Sequence, residues 1–443
     1  MVRTLLIAAL VHAVAANDPR TTDHEPERMA SFTFVCSECG VRYTEHEVRY
    51  VCPVCSQHQS PGGVTRGVLT VELTDAPRRW PAARVHDPGA LVAFLPVADP
   101  VSLPALRVGG TPLLPVPELR RRFGMPHLWV KDDTRNPSGS TKDRASLLVV
   151  AKAIEYGCGT VATASTGNAA SALAAVAAAA GVRAVVFVPA SAPPAKLVQM
   201  ASYGATLVPV AGSYDDAFEL SLAACERFGW YNRNTAYNPF TIEGKKTAAL
   251  EIAADLAPDA PHVVIVPAGD GVIVSGIAKG FADLVRGGLL HRPPRLIVVQ
   301  PEGSAAIARA LRTGAPSVTP LAAAESVADS LVVRAPRNAI MALAQVRASG
   351  GAGVTVTDEA LLDAIATLAS TTGVFAEPAA AASLAGLQAA LGEGLVARDE
   401  RVVLLVTGTG LKDIAAASER VRIPGAVPPD LVAVQHLLGE TGN

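Results

Sequence analysis

Lysine is scarce in this chain. Only eight of its 38 basic residues are lysine, at positions 131, 142, 152, 196, 245, 246, 279 and 412. Arginine carries the bulk positive charge, so a lysine at a special backbone position is one kept for its amine. There is no block of like charge and the formal net charge is −2, which excludes the electrostatic footprint of a nucleic-acid or anionic-membrane binder. No apolar run is long enough to cross a bilayer. With 50% hydrophobic and 18% charged residues in 443, the chain is too apolar to be disordered and long enough for two packed lobes with a small appendage. The partner expected of such a surface is a small molecule.

Six cysteines are present, and four of them, Cys36, Cys39, Cys52 and Cys55, form C-x2-C-x12-C-x2-C. Thiolates paired two residues apart suit one tetrahedral zinc, with the second pair closing the site. The segment between the pairs, "GVRYTEHEVRY", has no basic surplus, so a structural Zn2+ is expected rather than a nucleic-acid finger. Cys158 and Cys225 stand alone and read as buried small apolar residues. The first residues, "MVRTLLIAALVHAVAAN", hold signal-peptide elements in Arg3, the stretch from Leu5 and Ala13-Val14-Ala15. The rest of the chain reads as an intracellular enzyme. The expectation is therefore a cytoplasmic protein translated from Met29, with residues 1–28 a disordered or mis-called extension.

Organisation follows from there: a zinc-ribbon-like segment at 29–60, a linker at 61–105, a catalytic part of two α/β lobes at 106–423, and a tail at 424–443. Short β-branched runs ("TVATA", "VRAVVFVPA", "ATLVPV", "HVVIVPAG", "PRLIVVQ", "RVVLLVTGTG") are separated by helical stretches such as "GNAASALAAVAAAAG" and "GVIVSGIAKGFADLVRGG". Continuous apolar strands alternating with helices predict parallel sheets covered on both faces, with a cleft between lobes.

Lys142 follows the strand-like "HLWVKDD" and the turn "NPSGS", and it opens a helix. The positive end of the helix dipole disfavours its ammonium, and a neutral amine is what Schiff-base chemistry needs. "ASTGNAAS" places Ser165, Thr166, Gly167 and Asn168 at a strand-to-helix turn, where free amides bind a carboxylate or phosphate. "PAGDGVIVSG" repeats the arrangement at Gly269, Asp270, Gly271, Val272 and Ile273. Two anion cradles beside one candidate Schiff-base lysine point to a cofactor with its own phosphate and a substrate with a carboxylate.

"NPSGSTKDRAS", "ASTGNAAS", "YNPFTIEGKKT", "VPAGDGVIVSG", "FAEPAAAASLAG" and "VTGTGLKD" stand in the order and at the spacing that resemble the threonine synthases, within the tryptophan-synthase-β-like (fold type II) pyridoxal-phosphate enzymes. The resemblance runs from about Leu106 to Asp413. It implies a pyridoxal 5'-phosphate-dependent lyase, commonly a homodimer, that turns O-phospho-L-homoserine and water into L-threonine and phosphate. Lys142 then matches the lysine that forms the aldimine with the cofactor and later moves protons at the substrate carbons. Asn168 matches the partner of the ring hydroxyl, Gly269 to Ile273 the loop holding the cofactor phosphate, and Thr407 the residue facing the pyridine nitrogen. A neutral hydroxyl at that nitrogen makes the ring a weaker electron sink, leaning the chemistry toward elimination and replacement at Cβ or Cγ.

Departures from the pattern fall at the substrate phosphate. Thr241 stands where the family often carries an arginine, Ala169 follows Asn168, and Thr141 precedes the lysine. Ser165, Thr166, Gly167, Asn234 and Thr235 are the candidate substrate contacts, and Lys245, Lys246, Arg233 or Arg337 could supply the missing cation. Arginine installed at Thr241 is expected to tighten binding or leave it little changed. A Ser/Thr dehydratase, a β-replacing synthase of the same fold, and a non-catalytic protein retaining the fold remain alternative readings of the residues.

Overall fold

The computed structural model describes residues 31–60, 62–81, 89–190, 192 and 194–439. Residues 1–28, expected to be an extension, lie outside them. The alternating pattern yields two sheets. The larger has the strand order Ala352–Val356, Arg295–Pro301, Val263–Pro267, Val402–Val406, Leu128–Asp132 and Leu113–Leu114. The first five strands run parallel, and Leu113–Leu114 pairs antiparallel at the edge, so the sheet is mixed where a wholly parallel one was expected. The smaller sheet, ordered Thr206–Val210, Arg183–Pro189, Thr160–Ala164 and Tyr231–Asn232, is parallel throughout.

The apolar strands are explained by burial on both faces. Val263, Ile265, Ile297, Val299 and Leu404 pack into one core, while Val264, Val266, Leu296, Val298, Val403 and Leu405 face another. Alternate residues thus enter opposite layers, and none can be polar without an unpaired group in the core. The smaller sheet's cores are drawn from its own strands and the Asn168–Ala180 and Tyr214–Phe228 helices.

The segment expected to be a linker is partly sheet. Leu69–Leu73 pairs antiparallel with Phe32–Cys36, which also pairs with Arg42–Tyr43, and Leu91, Phe94, Leu95 and Val97 are buried. The alternation in "VLTVEL" is the signal: Leu69, Val71 and Leu73 face inward with Thr70 and Glu72 between them. This small sheet docks on the smaller lobe. Tyr50 stacks on Tyr237 with ring centroids 4.8 Å apart, and its hydroxyl accepts the Asn232 N–H at 3.0 Å. The tail carries an exposed helix, Leu431–Leu438. Among the described residues no helix is long and apolar enough to cross a membrane.

Candidate active site

Thr407, Gly408 and Thr409, just past the Val402–Val406 strand, form a hub. The carbonyl of Thr407 accepts the Thr141 N–H at 2.8 Å, the Thr409 N–H donates to the Gly139 carbonyl at 2.9 Å, and the Gly408 carbonyl accepts the Glu377 N–H at 3.1 Å. Gly139 makes this approach possible: its φ is +84° and a Cβ would lie 2.7 Å from Thr409 Cγ2. The turn before Lys142, the strand end at Thr407 and the start of the Pro378–Gly392 helix are thereby locked together.

Lys142 is the first residue of the Lys142–Glu155 helix. Two residues on, Arg144 fixes that helix by bonding buried Asp133 (2.7 and 2.8 Å) and Glu251 (2.6 and 2.8 Å). Dehydration by the surrounding protein pulls the Lys142 pKa down; Arg233 and Lys412 push the same way, while Glu377 and Asp270 oppose them. Burial is the largest cause, so the dipole argument found the right direction for a secondary reason. A lysine so placed has a neutral amine accessible for covalent chemistry.

Both predicted cradles are present. Among the described residues, the amides of Gly269 to Ile273 have no protein acceptor, and Gly271, at φ +87°, leaves a hollow in which a Cβ would meet Ala342 Cβ at 2.9 Å. Asp270 does not spoil the cradle with its charge, because its carboxylate turns away to accept the Arg337 N–H at 3.0 Å. The amides of Thr166, Asn168 and Ala169 are likewise unpartnered, among the described residues, at the start of the Asn168–Ala180 helix. A cleft of about 1130 Å³ borders Gly139, Gly167, Asn168, Ser171, Glu377 and Lys412. An amine, two amide cradles and a neutral hydroxyl at Thr407 are the donor set a phosphorylated pyridine aldehyde requires.

The remaining predicted contacts divide. Ser165 Oγ accepts the Gly167 N–H at 3.2 Å, shaping the turn. Thr235 lies beside Arg233, accepting from Nη1 at 3.2 Å. Asn234 does not belong to the site: its Oδ1 accepts from Ala164 N–H (2.8 Å) and Thr163 Oγ1 (3.2 Å), and its Nδ2 donates to Ser221 Oγ (2.7 Å). Its amide is spent holding the strand end. Thr241 is completely buried, its Oγ1 donating to Asn238 O at 2.7 Å, which leaves no room for an arginine pointing at substrate. Cys158 is only partly buried, unlike Cys225.

The four cations proposed to replace that arginine are equally separable. Lys246 is paired with Glu243 at 2.5 Å and Asp283 at 2.9 Å. Arg337 is paired with Asp215 at 2.6 Å and lies over the Phe218 ring at 3.8 Å. Among the described residues Arg233 has only neutral hydrogen-bond partners, Ser146 and Thr235, and its buried Nη2 has none. Lys245 is 2% exposed and bonds just the Thr241 carbonyl, at 3.0 Å. Burial lowers both, Arg233 to about 10 and Lys245 well below its ordinary value, with Arg233 and Lys142 adding to the effect on Lys245. Two buried cations without a carboxylate bonded to them, close enough to the Lys142 amine to influence it, form a dianion site.

Glu377 and Lys412 were passed over in sequence, although both lie in quoted motifs. A glutamate just before the Pro378 that starts an alanine-rich helix was the available signal. Glu377 Oε1 accepts from Asn168 Nδ2 at 2.7 Å, and Lys412 Nζ donates to Ser171 Oγ and Gln199 Oε1, each at 3.0 Å.

The cysteines also converge. All four sulfurs lie within 4.8 Å of one another, with Cys36–Cys55 and Cys39–Cys52 each at 3.8 Å. A tetrahedron with metal–sulfur bonds of about 2.3 Å has edges of about 3.8 Å, so the sulfurs fit a zinc ion. Tyr43 Oη lies 3.1 Å from Cys52 Sγ, where its hydroxyl can donate to a thiolate and hold it in place.

A family model described as pyridoxal-phosphate dependent enzyme matches residues 105–408. Over 411 residues the chain is 36% identical to the threonine synthase of Methanosarcina acetivorans, covering 91% of this chain and 98% of that one. It is 35% identical over 408 residues to the threonine synthase of Methanocaldococcus jannaschii, covering 91% and 99%. Among solved structures, a bacterial threonine deaminase, described as from T.th., superposes with a TM-score of 0.57 at 27% identity, over 71% of this chain and 94% of that one. The processed form of threonine deaminase isoform 2 from Solanum lycopersicum, at 20% identity and TM-score 0.62 over 82% and 97%, shares the fold.

Proposed function

The chain belongs to the pyridoxal-phosphate dependent enzymes, and from that premise we infer that it acts as the threonine synthases it is similar to. It converts O-phospho-L-homoserine and water to L-threonine and phosphate. The observation that carries this reading is the Arg233–Lys245 pair. A dehydratase acting on serine or threonine has no second phosphate to bind, and two buried cations without bonded carboxylates would cost such an enzyme stability without return.

The residues divide the work as follows. Gly269 to Ile273 hold the cofactor phosphate through their free amides, Asn168 meets the ring oxygen and Thr407 the ring nitrogen. Pyridoxal phosphate, when bound, supplies the electron sink that makes hydrogens beside the amino carbon acidic. The amides of Thr166, Asn168 and Ala169 take the substrate carboxylate. Arg233, Lys245 and Thr235 take the substrate phosphate and stabilise the charge that grows on it as its bond to Cγ breaks. The reaction moves a proton from Cα, another from Cβ, expels phosphate from Cγ and adds water at Cβ. Lys142, with its lowered pKa, is the group that accepts and returns those protons.

Cys36, Cys39, Cys52 and Cys55 hold one structural Zn2+, and the sheet they organise backs the Asn232–Asn238 turn through Tyr50. The test of the function is product analysis. O-phospho-L-homoserine must give threonine and phosphate in equal amounts; conversion of serine or threonine to a keto acid and ammonia, with phosphohomoserine ignored, would replace this reading with a dehydratase.

A further inference from the structure

Glu377 has no task in the reaction so far, yet it is 5% exposed and placed with care. It is the N-cap residue of the Pro378–Gly392 helix, where a side chain ordinarily turns back onto first-turn amides, and it makes no such bond. Its carboxylate instead crosses to the smaller lobe and accepts from Asn168 Nδ2 at 2.7 Å. Gly408 lies so close that a Cβ there would collide with Oε1. The charged groups facing it are Lys142 from its helix and Lys412 and Asp413 from the turn after Thr407. For Lys142 in turn, Glu377 is the strongest charge influence.

We propose that Glu377 is a positioning residue that fixes which end of the Asn168 amide faces the cofactor and holds a negative charge beside the Lys142 amine. The proposal rests on reading Asn168 as the partner of the cofactor's ring oxygen. A carboxylate can only accept, so of the two ends of Asn168 it can hold Nδ2 alone. That choice leaves the second Nδ2 hydrogen to donate to a ring oxygen, which as an anion requires a donor. Were the amide reversed, Oδ1 would confront that oxygen with a second acceptor. The same negative charge favours the protonated form of Lys142, improving it as a proton acceptor while burial keeps the amine within reach of neutrality. Burial raises the Glu377 pKa while Lys142, Lys412 and the Asn168 bond lower it, so the carboxylate is maintained against desolvation by the groups it serves.

Two substitutions separate the two effects. Glu377→Gln keeps the shape but removes the charge and can both donate and accept, so Asn168 is no longer held in one orientation. Glu377→Asp keeps the charge but is too short to hold Asn168. Holoenzyme is titrated from pH 6 to 9 by its visible absorption, and apoenzyme is treated at pH 8 with trinitrobenzenesulfonate, followed by mapping of the Lys142 peptide. Expected for Glu377→Gln are a visible-band midpoint displaced to lower pH by half a unit or more, several-fold faster Lys142 modification, and kcat reduced more than tenfold with KM within threefold. Expected for Glu377→Asp are Lys142 reactivity close to wild type and cofactor affinity weakened about tenfold. Wild-type midpoint and reactivity in Glu377→Gln overturn the charge role, and wild-type cofactor affinity in Glu377→Asp overturns the orienting role. A wild-type protein that takes up no pyridoxal phosphate refutes the functional reading itself, a result distinguishable from either.

Discussion

Replacing Lys245 by methionine should separate substrate binding from cofactor binding and make the apoenzyme more stable. An unfolded lysine keeps its proton up to about pH 10.4, whereas burial, with Arg233 and Lys142 nearby, holds Lys245 well below that. Between those two values the unfolded chain binds the extra proton, so stability falls as pH drops from about 10 toward the folded value. Methionine fills nearly the same volume without the charge, and Lys245→Met apoenzyme should melt above wild type at pH 7 to 8. With substrate the balance reverses. A hydrogen bond to a charged group contributes about 1.5 to 3 kcal/mol, and at about 1.4 kcal/mol per decade kcat/KM should fall roughly 10- to 150-fold. The fall should be shared by kcat, because the phosphate gains charge as it leaves. Inorganic phosphate should lose potency as an inhibitor by a similar factor. Pyridoxal phosphate loading, which relies on the amides of Gly269 to Ile273, should be unchanged. Steady-state phosphate release, phosphate inhibition and calorimetric scanning of the apoenzyme measure all of this. A variant with unaltered phosphate inhibition but poor cofactor uptake would refute the reasoning, by showing that Lys245 serves the other phosphate.

Borohydride treatment of the yellow holoenzyme should fix the cofactor on the peptide containing Lys142, and Lys142→Ala should lose the visible band; label on Lys131 or Lys246 would reject the assignment. Thr241→Arg should lower the melting temperature and weaken turnover, because the side chain is completely buried and its carbonyl already holds Lys245; overpacking of this kind costs about 1 to 3 kcal/mol. This reverses the expectation drawn from sequence, and tighter phosphohomoserine binding by the variant would restore it. Elemental analysis should find one zinc per chain, and Cys52→Ser should release it and raise KM through the Tyr50–Asn232 contact; a metal-free wild type of full activity would count against both. Glu377→Gln apoenzyme should be at least as stable as wild type at pH 8: a raised carboxyl pKa means stability is lost as pH climbs from about 4.3 through the folded value, and glutamine removes that loss. Equal melting temperatures at pH 5 and a lower one for the variant at pH 8 would contradict it.

Strands were readable because burial on both faces forces continuous β-branched runs, and all six quoted runs are strands. Glycine-bearing turns were readable for a related reason: free amides at a helix start need small residues, and the backbone itself does the binding. The antiparallel edge strand Leu113–Leu114 was not legible, being two residues long and fixed by its neighbour Leu128–Asp132. Nor was the role of Asn234. An asparagine in a site-like turn looks the same in sequence whether its amide faces a ligand or, as here, closes a strand end on Ala164 and Ser221.

Choosing among four cations lay beyond the sequence because a cation's availability is defined by its neighbours. Lys245 and Lys246 are adjacent, chemically identical and almost equally buried, yet one helical step turns Lys246 toward Glu243 and Asp283 and leaves Lys245 with a single carbonyl. The helix Phe240–Lys245 places Lys245 one turn beyond Thr241, where residues four apart share a face. A cation missing at the first position can therefore be supplied from the second without moving the backbone, the longer reach being met by a flexible four-carbon stem. That arrangement explains how a chain written mostly in arginine uses a lysine at the site of phosphate recognition: a compact point charge fits where Thr241 is sealed and a planar guanidinium would have to displace its neighbours.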